Sequence, residues 1–144
     1  MSISDVLRGK SRKVVKVNSG DSVESAVRKL AEHRIGAVIV EDQWMHTAGI
    51  FSERDFVNAI ADHGAQALTF PVEKLMTARV ITCRPTDRVE DAMAAMTNAK
   101  IRHLPVMDNK QLVGIVSIGD LVKHRLDEKA LEANVLLDIS RLHA

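Results

Sequence analysis

The chain writes one phrase twice. GIFSERD stands at 49–55 and GIVSIGD at 114–120, both Gly-Ile-hydrophobic-Ser-x-x-Asp, 65 residues apart in a chain of 144. The copy extends beyond the phrase. At a shift of 66, Asp21 falls on Asp87, Val23 on Val89, Glu24 on Glu90, Ala26 on Ala92, Leu30 on Met96, Ile35 on Ile101, Val40 on Val106 and Asp42 on Asp108. Past the turn the shift becomes 65, so the first hairpin turn carries one inserted residue. Upstream, ISDVL (3–7) resembles VEKLM (72–76) at a shift of 69. Such self-similarity means two copies of one supersecondary unit. Small units that each bury one apolar face are expected to pack on one another.

Each copy reads β-α-β-β-α after a short opening helix or turn. The first strands are VVKV (14–17) and VITC (80–83). Asp21 or Ser22 caps the next helix in the first copy, and Thr86-Asp87 precedes it in the second. Val23, Ala26, Val27 and Leu30, and then Val89, Ala92, Met93 and Met96, recur at helical spacing. Strands GAVIV (36–40) and HLPVM (103–107) follow, then polar turns, then AGIFS (48–52) and LVGIVS (112–117). The closing helices start inside the repeated phrase, over 54–64 and 119–131, and Gly64 stops the first of them. The expected boundaries are 1–68 for the first repeat, 69–128 for the second, and a helical tail over 129–144. In that tail, apolar positions 131, 135, 136, 139 and 142 are helically spaced, available to the body or to a second subunit.

Composition narrows the function classes. Lys and Arg number 20 against 19 Asp and Glu, a formal charge of +1, which offers no bulk attraction to nucleic acid or an anionic membrane. The one basic cluster, RGKSRKVVK (8–16), reads as a solvated face. Aromatic residues are 3%, too few for base-stacking platforms. A single cysteine, Cys83, excludes an intrachain disulfide and a CxxC zinc pattern. The start lacks a signal peptide's apolar run, and no stretch reaches ~18 apolar residues. The expectation is a soluble, cytoplasmic protein with no membrane or nucleic-acid partner.

No catalytic set accompanies the repeat. Ser52 and Ser117 lack the context of a nucleophile elbow. His33, His46, His63, His103, His124 and His143 form no HExxH or tight cluster, so no metal is expected. His124 is placed for an i,i+4 contact with Asp120. The repeated Ser and Asp sit where a strand enters a helix. There Ser52 and Ser117 can cap the helix. Equally, helix-start N–H groups favour an anion, and a carboxylate can take the hydroxyls of a ribose. Gly49 and Gly114 stand on strands, where glycine is tolerated chiefly for a close approach.

These motifs, in this order and repeated, resemble a tandem pair of cystathionine-beta-synthase (CBS) domains, the Bateman module. The resemblance covers roughly residues 3–128: ISDVL and PVEKLMT, the helix starts at 21–26 and 87–92, IGAVIVED and IRHLPVMD, and GIFSERDF and GIVSIGDL. It implies an α/β (α+β) fold of two β-α-β-β-α repeats packed with pseudo-two-fold symmetry. It implies clefts between the repeats that bind an adenosine-containing ligand such as AMP, ADP, ATP, S-adenosylmethionine or NAD. It further implies a homodimer that regulates a partner protein and does not catalyse.

Carried onto this sequence, the family's ribose aspartate falls on Asp55 and Asp120. Its Ser/Thr near phosphate or ribose falls on Ser52 and Ser117. Its basic position before the strand falls on Arg102, where the first copy has Gly36. Arg54 has no counterpart in the second copy, which has Gly119. Arg54, Arg102 and His103 are expected near phosphate, with Lys123 and Arg125 either assisting or solvated. Lys16, Val17, Ile81 and Thr82 correspond to the stretch against the base. The backbone of Gly36, Ala37 and Val38, and of His103, Leu104 and Pro105, corresponds to the pocket lining. The expected function is a non-catalytic nucleotide sensor. The alternative is a structural dimerisation or protein-interaction module with degenerate clefts.

Overall fold

The computed structural model describes residues 1–10 and 13–142, so Ser11 and Arg12 of the basic cluster and His143 lie outside the described residues. In chain order the elements are α1 (Ile3–Arg8), β1 (Lys16–Asn18), α2 (Val23–His33), β2 (Ala37–Glu41), β3 (Thr47–Ser52), α3 (Glu53–His63), α4 (Val89–Ala99), β4 (His103–Asp108), β5 (Gln111–Ser117) and α5 (Ile118–Leu142). Two short 3-10 turns, Gly64–Thr69 and Val72–Lys74, lie between α3 and α4. The repeated sequence thus becomes two β-α-β-β-α repeats, the first strand of the second reduced to a single bridge at Cys83.

The equivalent helices α2 and α4 bury equivalent faces and stop alike, but they start differently. Ser22 caps α2 by accepting from the Ser25 amide at 3.1 Å. Its counterpart α4 has Arg88 at the cap position without a side-chain cap. Asp87 instead accepts from the Arg84 amide at 2.8 Å and closes the preceding turn. Val23, Ala26 and Leu30 of α2, and Val89, Ala92 and Met96 of α4, are the buried faces that the spacing predicts. Both helices end on a non-glycine residue in the left-handed region, Arg34 (φ 52°) and Lys100 (φ 57°). Gly64 (φ 66°) ends α3.

The sheets are related but unequal. In the first repeat β1 pairs parallel with β2, and β2 antiparallel with β3. In the second, β4 and β5 pair antiparallel, and the expected strand at 80–83 is reduced to one parallel bridge, Cys83 to Val106. The cause is legible in the hydrogen bonds. The Ile39 amide donates to the Val15 carbonyl at 3.1 Å. The equivalent position on β4 is Pro105, which has no N–H to donate. Only the flanking bonds remain, from the Cys83 amide to Pro105 and from the Met107 amide to Cys83.

Packing divides the chain into two compact units: Lys13–Thr82, and Met1–Arg12 with Cys83–Ala144. The repeats read from the sequence and the packed units therefore differ in their opening segments. Each repeat's opening segment joins the body of the other repeat. In the first unit, Val72 is fully buried beside Val17, Val23, Leu30, Val38, Val40 and Phe51, and its amide donates to the Asp21 carbonyl at 2.7 Å. In the second, Ile3 and Val6 are buried with Cys83, Val89, Met96, Leu104, Val106, Val116 and Leu121. The Ile3 amide donates to the Asp87 carbonyl at 2.9 Å.

These exchanged segments account for the repeated strand glycines. A Cβ on Gly49 would stand 2.5 Å from the Thr77 carbonyl oxygen and 2.8 Å from Met76 Sδ. A Cβ on Gly114 would stand 2.8 Å from a Leu7 methyl. Both glycines admit the segment that crosses their strand. The tail continues α5 as one helix, and from Lys129 to Leu142 every residue is exposed, Leu131, Val135, Leu136 and Ile139 included.

Candidate functional site: the Ser–Asp corners

Each repeated phrase folds into a corner where a strand passes into a helix. At the first, Ser52 is the cap of α3 and the Asp55 amide donates to Ser52 Oγ at 3.3 Å. In return the Ser52 amide and hydroxyl donate to Asp55 Oδ2 at 2.9 and 3.1 Å. At the second, the Asp120 amide donates to Ser117 Oγ at 3.0 Å and the Ser117 amide to Asp120 Oδ2 at 2.9 Å. Both are reciprocal capping boxes with Asp in the third helical position. A further backbone bond fixes each: Glu53 amide to Gly36 carbonyl at 3.0 Å, and Ile118 amide to Arg102 carbonyl at 2.8 Å. The capping reading of the phrase is therefore correct for both copies. It leaves each partly exposed carboxylate held at a defined place, with one oxygen turned to the helix start.

The surroundings differ. Asp55 Oδ1 accepts from the Thr77 hydroxyl at 3.1 Å. Asp120 Oδ2 pairs with Lys10 Nζ at 2.5 Å, and the same ammonium donates to the Ile115 carbonyl at 2.8 Å. Burial raises the Asp120 pKa, but the Lys10 ammonium and the Ser117 donors outweigh it and hold the carboxyl below its usual value. Neither Lys10 nor Thr77 was predicted. Thr77 stands where Arg8 stands at the shift of 69, so alignment of the copies gives no hint of either contact. Of His124, placed for an i,i+4 contact with Asp120, Nε2 is buried without a hydrogen-bond partner among the described residues.

The remaining predicted residues divide between the two units. Lys13–Thr82 holds Lys16, Val17, Gly36, Ala37, Val38, Ser52, Arg54, Asp55, Ile81 and Thr82. The other unit holds Arg102, His103, Leu104, Pro105, Ser117 and Asp120. Val17, Ala37, Val38 and Leu104 bury their side chains in their own unit, which leaves only their backbone to a ligand. Lys16 pairs with Glu41 at 2.7 Å. Ile81 and Thr82 are exposed and outside any strand. Arg54 and Arg102 are exposed, His103 partly so. Arg125 is committed to Glu90 (2.9 Å) and Glu128 (3.5 Å), which makes it structural. Burial, with the Asp87 charge second, pushes the Cys83 thiol up to about 12, so it is no nucleophile near neutral pH.

Two copies of the CBS domain family model match the chain, at residues 3–62 and 72–127. The chain belongs to the CBS domain family. Among solved structures, the CBS-domain containing protein ATU1752 from Agrobacterium tumefaciens is 42% identical, with a TM-score of 0.84 over 86% of this chain and 92% of that one. The Arabidopsis thaliana protein CBSX3, a mitochondrial CBS domain-containing protein, is 34% identical over 92% of this chain and 71% of its own. A CBS domain protein from Pyrobaculum aerophilum, PAE2072, solved in complex with AMP, is 27% identical, with a TM-score of 0.74 over 83% of this chain and 89% of that one. CBS domains are regulatory, non-catalytic modules. Among the described residues no group of three or more His, Cys, Asp or Glu could hold a metal ion, and no helix is long and apolar enough to cross a membrane.

Proposed function

We propose that this CBS pair is a non-catalytic sensor that binds an adenosine-containing nucleotide, with Asp55 and Asp120 as acceptors for ribose hydroxyls. The observation that carries this reading is the held carboxylate at each corner. A capping box needs only one carboxylate oxygen, and a charged acceptor fixed by its neighbours binds a hydroxyl pair with less ordering cost than a mobile one. The AMP bound to the Pyrobaculum aerophilum relative supports an adenosine ligand. Ser52 and Ser117 lie beside the ribose acceptors, and Arg54, Arg102 and His103 supply donors for phosphate. AMP, ADP, ATP and NAD all satisfy that set. The backbone of Lys16–Val17, Gly36–Val38, Ile81–Thr82 and His103–Pro105 serves the base. A bound ligand acts on a separate partner protein only by favouring one packing state over another.

Calorimetric titration with AMP tests the assignment. Asparagine keeps an acceptor for the serine amide, so Asp55→Asn and Asp120→Asn isolate the charge. Each variant is expected to weaken its own site by about 1.5–3 kcal/mol. Unchanged AMP affinity in both variants and in their combination would reject the reading, and failure of all adenosine ligands at millimolar concentration would favour a purely structural module.

A further inference from the structure

Lys10 lies just beyond the end of α1, after Gly9, and reaches a carboxylate 110 residues away in sequence. Its ammonium is held twice, by Asp120 Oδ2 at 2.5 Å and by the Ile115 carbonyl at 2.8 Å, and both charged side chains are about two-thirds buried, at 31% and 28% exposure. The Asp120 oxygen that completes the helix cap also takes this ion pair. At the other corner the corresponding segment brings Thr77, a neutral hydroxyl, to Asp55. One exchanged segment therefore delivers a cation to its corner and the other an alcohol.

We propose that Lys10 is a built-in competitor for the ligand at Asp120. The inference rests on the ribose role given to that carboxylate above. A ribose hydroxyl binds a carboxylate by donating to it, and an ammonium already does so more strongly because it is charged. A nucleoside that reaches Asp120 must displace Lys10 or share a weakened acceptor. The lysine stem is long, and the Lys10 amide is tied back only to the Leu7 carbonyl at 3.3 Å among the described contacts. Displacement therefore frees the Lys10 side chain without dislodging Ile3 and Val6 from the core. Occupancy at Asp120 is thereby linked to the position of the Lys10 ammonium. That link gives a partner protein something to read.

Adenosine is the probe, because it carries no phosphate that Lys10 could assist. In an Asp55→Asn background, which isolates the Asp120 corner, Lys10→Met is expected to tighten adenosine binding about three- to five-fold, the range for release of a partly exposed ion pair. The gain should vanish when Asp120→Asn is added. Lys10→Gln, which keeps a donor without the charge, serves as a second variant should Lys10→Met melt early, and should shift binding in the same direction. Unchanged or weaker adenosine binding in both Lys10 variants overturns the competitor role. It leaves the ribose assignment intact as long as Asp120→Asn still weakens binding. Absence of adenosine binding in every protein, the unmutated one included, removes both.

Discussion

At Asp120 a helix cap and an ion pair share one oxygen, so protonation of that carboxyl removes the ion pair and weakens the cap. Its pKa is lowered in the folded protein. Its stabilising contribution is therefore complete above the unfolded-state value of about 3.9 and is lost as pH falls below that towards the folded value. The pair is partly exposed, and its worth after screening is about 1 kcal/mol. Asp120→Asn should thus be less stable than the unmutated protein near pH 7, and the gap should close below roughly pH 4. Urea melts from pH 3 to 7 check it; a gap that stays constant would show that the charge contributes nothing. The Ser and Asp of this corner were legible as a repeated pattern. Whether they capped or bound was not, because both roles need an acceptor at a helix start. Lys10 was illegible because no local spacing links it to Asp120.

The glycine-bearing strands show what an element tolerates. Gly49 faces a backbone carbonyl, which cannot turn aside, while Gly114 faces the end of a leucine side chain, which can. Gly49→Ala should destabilise the protein by about 1–3 kcal/mol, and Gly114→Ala by distinctly less. Equal or reversed losses in denaturant melts would remove close approach as the cause. Helix faces and hairpins could be read from periodicity and turn chemistry, since both copies give the same pattern, and the stop at Gly64 from its glycine alone. The shortened edge at Cys83 departs from that reading. VITC has the apolar content of a strand, but the donor it lacks belongs to Pro105 on its neighbour. Strand formation depends on the partner as much as on the strand itself.

For the whole molecule, the decisive feature is that the opening segments change places. Removing residues 1–10 should strip Ile3 and Val6 from the core they share with Cys83, Val89 and Leu121, a loss on the order of 3–6 kcal/mol. Hydrogen exchange should then rise in β4 and β5 while amides of β2 and β3 stay protected. Uniform loss of protection across 13–142 would show instead that the two units unfold together. Removing residues 131–144 should leave that core unchanged, since no described side chain beyond Glu128 is buried. The exchange itself was not visible in the sequence. ISDVL and VEKLM identify themselves as copies, but similarity says nothing about which body each one joins. The arrangement also sets an order of assembly. Everything needed by Lys13–Thr82 is made within one continuous stretch, so that unit can close while synthesis proceeds. The helix at 3–8 leaves the ribosome earlier, yet its partners begin at Cys83. Through all the intervening synthesis Ile3 and Val6 lack the core partners that run from Cys83 to Leu121, so their unit closes last.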